Sequence, residues 1–188
     1  MLLVMTPTDK NNIQHNPKSA NAPIPPLLNP MEFPGLVDRK AADVAFMLLR
    51  RPSFDPEASW TLYRDGNQWF VRRIICAFGN GPLAAKLEPN TYGAETAIPN
   101  VRAENLLADL RQISIGFVPN AGGGIVLDGC RYEVRCDNTT MSLNLERWCE
   151  APSEWSELRD WYANTVTVLQ AHLPKPTVPI QVVHPWCE

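Results

Sequence analysis

Asp128-Gly129-Cys130-Arg131-Tyr132-Glu133-Val134-Arg135-Cys136-Asp137-Asn138, continuing through Thr139-Thr140-Met141-Ser142-Leu143-Asn144-Leu145 to Glu146, is the stretch whose pattern decides the fold. Asp128-Gly129 opens it as a turn. Tyr132, Val134 and Cys136 then alternate with Arg131, Glu133 and Arg135. Beyond the turn at Asp137-Asn138, Met141, Leu143 and Leu145 alternate with Thr140, Ser142, Asn144 and Glu146. Successive strand side chains point to opposite faces, so each run has one apolar and one polar face. That is the pattern of an antiparallel sheet covered on one side. The cover comes next in the chain. From Ser153 to about His172, the residues Trp155, Leu158, Tyr162, Val166, Leu169 and Leu173 make an apolar stripe at helical spacing. Glu154 and Glu157 suit the positive N-terminal end of that helix.

Upstream, Trp60 to Arg64 and Gln68 to Phe78 are rich in β-branched and aromatic residues and are joined by Asp65-Gly66-Asn67, which predicts a hairpin. The second strand is apolar on both alternating sets, so it is expected to be central or covered twice. A helix is expected over about 38–50, where Val37, Ala41, Val44 and Leu48 recur at helical spacing before Pro52. Another is expected over about 101–112, with Asn100 as its N-cap and Ala103, Leu106, Leu107 and Leu110 facing inward. Residues 79–100 read as a connection without periodicity. Ile113 to Val118 and Ile125 to Leu127 read as short strands around Ala121-Gly122-Gly123-Gly124. Strands and helices do not alternate strictly. The fold class is therefore α+β, a mainly antiparallel sheet with helices at about 38–50, 101–112 and 153–172 packed on it.

Proline dominates both ends. Residues 1–34 carry Pro7, Pro17, Pro23, Pro25, Pro26, Pro30 and Pro34, and the tail 176–188 carries Pro176, Pro179 and Pro185. These segments are expected to be extended or flexible around a single domain at 35–175, with Val178 to Val183 apolar enough to dock along an edge. The chain of 188 residues has 45% hydrophobic and 20% charged residues, which suits one globular core. A net charge of -3 gives no general attraction to nucleic acid. Arg72 and Arg73 lie beside Trp69 and Phe70, but adjacent strand residues face opposite ways and form no patch together. Met1 to Met5 is too short for a signal-peptide core, and no run approaches the ~20 apolar residues of a membrane span. With five cysteines in no disulfide pattern, the expectation is free thiols and a cytoplasmic location.

The candidate chemistry is thin. The glycine run matches no phosphate-loop pattern and leads toward a strand, not a helix. Cys130 and Cys136 lack the close pairing of a zinc site, and His15, His172 and His184 sit in or near the terminal segments, so no metal and no cofactor is expected. Cys149 just before the last helix is the best nucleophile, yet Glu146 and Glu150 would raise its pKa. The carboxylates of Glu146, Glu150, Glu154 and Glu157 gather at a helix start, where solvation or the helix dipole accounts for them. What remains is the polar sheet face, Arg131, Glu133, Arg135, Ser142, Asn144 and Glu146, whose charges and amides suit recognition of a protein. Trp161 lies partly off the core stripe. If exposed it would serve as a binding anchor; packed, it is core.

The run Asp128-Gly129-Cys130-Arg131-Tyr132-Glu133-Val134-Arg135, with Trp148-Cys149-Glu150, Pro152, Trp155 and Leu158, resembles a pattern in small bacterial α+β proteins of unknown function. In these a strand pair leads through a Trp- and Pro-containing turn into a terminal amphipathic helix. The resemblance covers the last third of the folded domain, rests on packing residues and carries over no catalytic group. Some proteins of this kind are immunity or accessory partners of secreted toxins. The expectation is a non-enzymatic bacterial protein-binding domain, an immunity or adaptor component. The alternatives are a small hydrolase or transferase whose site assembles only in three dimensions, and a self-associating structural protein.

Overall fold

The computed structural model describes residues 29–33, 35–53, 55–76, 91–116, 130–137, 142–148 and 153–176. Strands β1 (Asp43–Pro52), β2 (Glu57–Asp65), β3 (Gln68–Cys76), β4 (Thr91–Ile98), β5 (Cys130–Asp137) and β6 (Ser142–Trp148) form one sheet in the order β4-β3-β2-β1-β5-β6. Every neighbouring pair is antiparallel. Helices α1 (Asn100–Gln112) and α2 (Ser156–His172) complete an α+β fold.

Both sequence-predicted strand pairs form. β2 and β3 turn through Gly66 and Asn67, with Gly66 at φ +59, a left-handed conformation that a residue without Cβ adopts freely. β5 and β6 pair with Val134 opposite Leu145 and Cys136 opposite Leu143, the register that the alternation implies. The last helix begins as a short 3-10 turn, Ser153–Trp155, and runs on as α2. Helix α1 starts as expected, but the residue at its cap is Pro99. The Asn100 amide instead donates to the Asn67 carbonyl at 3.1 Å and ties the helix start to the β2–β3 turn.

The expected helix at 38–50 is instead strand β1. Val44 and Leu48 fit helical spacing, but Ala45 to Leu49 is an unbroken apolar run, and such a run serves a doubly covered strand equally well. Here it pairs with β2 on one side and β5 on the other, so tertiary pairing overrides the local period. Within the expected 79–100 connection, 91–98 forms edge strand β4. Residues 113–116 are not a strand, and Val118, 125–127 and Val178 to Val183 lie outside the described residues.

One sheet face receives the helices. Phe46, Leu48, Trp60, Leu62, Val71, Ile75, Tyr132 and Val134 pack there against Ala103 and Leu106 of α1 and Leu158, Tyr162, Val166 and Leu169 of α2. Tyr162 donates to the Leu49 carbonyl at 2.9 Å, and Trp60 Nε1 donates to Gln170 Oε1 at 3.0 Å, so α2 crosses from β1 to β2. The other face is covered over β1–β4 by residues 29–33 and 35–39. This strap makes a 3-10 turn at Pro30–Glu32 and lays Phe33 and Leu36 against Met47, Leu49 and Ile74. Packed structure thus reaches upstream of the expected boundary at residue 35.

Arg72 clasps the strap. Its side chain is 0% exposed and donates to the Pro30 carbonyl at 2.7 Å, the Val37 carbonyl at 2.6 Å and, from Nε, Glu95 Oε2 at 2.8 Å. Arg39 of the strap pairs with Glu95 at 3.2 Å and with Asp65, and its guanidinium lies 4.6 Å from the centre of the Phe70 ring. Burial opposes ionisation of Glu95, but the Tyr63 hydroxyl and the guanidiniums of Arg72 and Arg39 outweigh it and hold the carboxyl below its ordinary value. Gly93 makes room for the strap: a methyl there would stand 2.6 Å from Phe33 Cε1. Gly93→Ala should destabilise the fold by about 1–3 kcal/mol through overpacking. In urea denaturation its effect should shrink when Phe33 is also replaced by alanine.

Candidate functional site

The helix-covered side of β5 takes Tyr132 and Val134, so Arg131, Glu133 and Arg135 point to the opposite face. Register continues that face onto its neighbours. Arg51 of β1 stands directly opposite Arg131, Leu49 opposite Glu133, and Met47 opposite Arg135. On the far side Glu146 pairs with Glu133, Asn144 with Arg135 and Ser142 with Asp137. All six polar strand positions singled out in the sequence therefore fall on one strand pair, in register.

Glu133 is not the solvated residue that an open polar face predicts. It is 1% exposed; Oε1 accepts from Arg135 Nε, while buried Oε2 finds no hydrogen-bond partner among the described residues. Two strands away on the same face, the Ser59 and Thr61 hydroxyls are buried without a partner among the described residues. Buried Arg51 Nε likewise has no partner among the described residues. Groups of this kind normally find partners when buried, because each lost bond to water is costly.

Sequence reasoning missed Arg51 and Glu57. Reading β1 as a helix removed Arg51 from the sheet, and Glu57 precedes the run that marked β2. In the structure Glu57 stands opposite Cys76, and Ala58 opposite Arg50, which places Glu57 beside Arg51. Burial raises the Glu57 carboxyl above its ordinary value, against the pull of Arg51 and Arg131.

Trp161 is a core residue and not an exposed anchor. It is 6% exposed, donates to the Leu106 carbonyl at 3.1 Å and meets the Phe46 ring edge-on at 5.3 Å. Its indole joins α2 to α1, which a position slightly off the stripe allows. Trp155 is half-buried and donates to the Gly116 carbonyl at 3.0 Å. Cys136 packs at the edge of the helix-side core, and burial pushes its thiol up to about 11. Of the groups considered for catalysis, Glu146 lies on β6, His172 ends α2, and Cys149 and Glu150 lie outside the described residues. Among the described residues no three of His, Cys, Asp and Glu gather to hold a metal ion, and no helix is long and apolar enough to cross a membrane.

Comparison of the chain with protein-family models, curated proteins and solved structures finds no match. The site's chemistry therefore rests on its own geometry.

The raised Glu57 carboxyl sets a pH dependence. The folded state holds this proton more tightly than the unfolded chain, so stability falls as pH rises from the ordinary carboxylate range toward neutrality. Glu57→Gln should raise Tm at pH 7, and the difference should vanish below about pH 4, where the carboxyl is protonated in both states. Paired thermal melts across that range check the sign. Separately, Trp161→Phe should cost about 1–3 kcal/mol by removing the indole hydrogen bond to the Leu106 carbonyl and part of a buried ring, measured by urea denaturation.

Proposed function

We propose that the chain works by binding another protein through the face carried by β1, β5 and β6, as an immunity or adaptor component and not as an enzyme. The observation that carries this reading is the placement of charge. Arg51 and Arg131 stand directly opposite one another with Glu57 beside Arg51, and both arginines stay part-exposed. Arg135 lies on the same face, and Glu133 Oε2 between them has no partner among the described residues. A partner surface that brings carboxylates to the part-exposed Arg51 and Arg135 would complement this face.

Interfaces use such sets for register and rate of association more than for raw affinity. The partner expected is therefore acidic over the patch that meets Arg51, Arg131 and Arg135.

The test uses wild-type chain and an Arg131→Glu/Arg135→Glu variant as bait in native lysate of the source cells, with both baits verified as folded by circular dichroism. A protein captured by the wild type should fall at least about tenfold with the variant, and its capture should weaken with added salt. Enrichment of nothing above background, or equal capture by both baits, overturns the proposal.

A further inference from the structure

Among the described residues the sheet ends in two edge strands, β4 and β6, and their sequences treat that position differently. An edge strand leaves a row of backbone donors and acceptors unpaired, and proteins guard it with lysine, proline, a bulge or a protruding charge. β6 carries Glu146 and Arg147 within its run. β4, Thr91-Tyr92-Gly93-Ala94-Glu95-Thr96-Ala97-Ile98, has no proline and no basic residue. All 8 of its residues pair with β3 in unbroken register, so no bulge turns the edge aside. Its one charge is no guard either, because Glu95 is held on the strap side by Arg72 and Arg39. What β4 offers along its outer side is backbone, small side chains and Tyr92, which is 39% exposed.

Only another strand completes such an edge, and β4 of a second copy matches it in detail. Two copies related by a two-fold axis perpendicular to the sheet run antiparallel, and every residue keeps its face. Tyr92, Ala94 and Thr96 share the helix side with their β3 partners Ile75, Arg73 and Val71. Gly93 and Glu95 lie on the strap side. The position of the axis decides which side chains meet. An axis at Glu95 would oppose two carboxylates, which is destabilising. An axis at Ala94 sets methyl against methyl, Glu95 against Gly93 of the second copy, and Tyr92 against Thr96 of the second copy. No like charges meet, and a favourable aromatic–β-branched pair forms twice. This register engages residues 91–97 of both copies.

We infer that two copies of this chain associate by antiparallel pairing of their β4 edges about a two-fold axis at Ala94, which continues the sheet from one molecule into the next. The inference is independent of the protein-binding reading, since Arg51, Arg131 and Arg135 lie toward the opposite edge of the sheet. It also adds to that reading. The axis keeps the strap sides of both copies on one side, so the pair presents two Arg131 faces in the same direction. A partner with two acidic patches at the matching separation would be held at both.

Sedimentation velocity of the full-length chain over a dilution series tests this. The wild type should sediment as a dimer that dissociates on dilution. Tyr92→Lys/Thr96→Lys sets lysine against lysine across the axis, and Tyr92→Glu/Thr96→Glu sets carboxylate against carboxylate. Each double variant, shown to be folded by circular dichroism, should associate at least about tenfold more weakly than the wild type. An equimolar mixture of the two should recover the dimer, because lysine then faces glutamate. If either variant does not fold, amide hydrogen exchange of the wild type decides: amides of residues 91–97 should lose protection on dilution to monomer. A monomer at every concentration, a dimer indifferent to both double variants, no recovery in the mixture, or unchanged β4 protection on dilution overturns the inference.

Discussion

Strands β1, β2 and β3 bury both of their faces, so the sheet must be covered twice before it is stable. Leu48, Trp60 and Val71 demand one cover, and Met47, Leu49 and Ile74 the other. The helices supply the first in the usual way, through amphipathic stripes. The second is a strap without regular periodicity, and such a segment has little of its own to hold it in place. Arg72 solves this by accepting full burial and binding the strap's carbonyls, while Glu95 neutralises the charge. A buried ion pair of this kind adds little net stability over an apolar substitute, but breaking one partner leaves an uncompensated charge. Its contribution is to specify one position for the strap, with Phe33 seated over Gly93.

This arrangement explains what was legible in the sequence. The β5–β6 pair and α2 each carry a complete period over many residues and are read directly. The Gly66 turn is equally plain. β1 was misread because a strand covered on both faces loses its alternation, and the remaining apolar run fits a helix as well. β4 was missed for a related reason: Gly93 is a weak strand former alone and makes sense only once Phe33 is known to lie on it. The strap itself is invisible locally, since its stability comes from Arg72 and Glu95, which are distant in sequence.

The candidate face was legible in part. Alternation placed Arg131, Glu133 and Arg135 on one side, and register adds Ser142, Asn144 and Glu146 to the same strand pair. Alternation could not reveal that Glu133 is buried or that Arg51 stands against Arg131, because both depend on β1 lying beside β5. Trp161 shows the converse. Its position off the stripe suggests exposure only while α2 is considered alone; α1 occupies that side and receives its indole hydrogen bond.

The sheet's second face divides into halves with different charge logic. Over β2–β4, Arg39 and Arg72 are matched by Asp65, Glu95 and strap carbonyls, so the charge is closed within the molecule. Over β1 and β5, Arg51 faces Arg131, and Glu133 engages Arg135 through one oxygen only. If charges on this face served packing alone, both halves would be expected to close alike, because the cost of an unmatched buried group is the same in either place. The half under the strap has its charges closed by Arg39, Asp65, Glu95 and the strap carbonyls, while the Ser59 and Thr61 hydroxyls there stay without a partner among the described residues. Over β1 and β5, Glu133 Oε2 and Arg51 Nε stay buried without a partner among the described residues. The protein complement proposed for this half would act by the same physical rule that seats the strap.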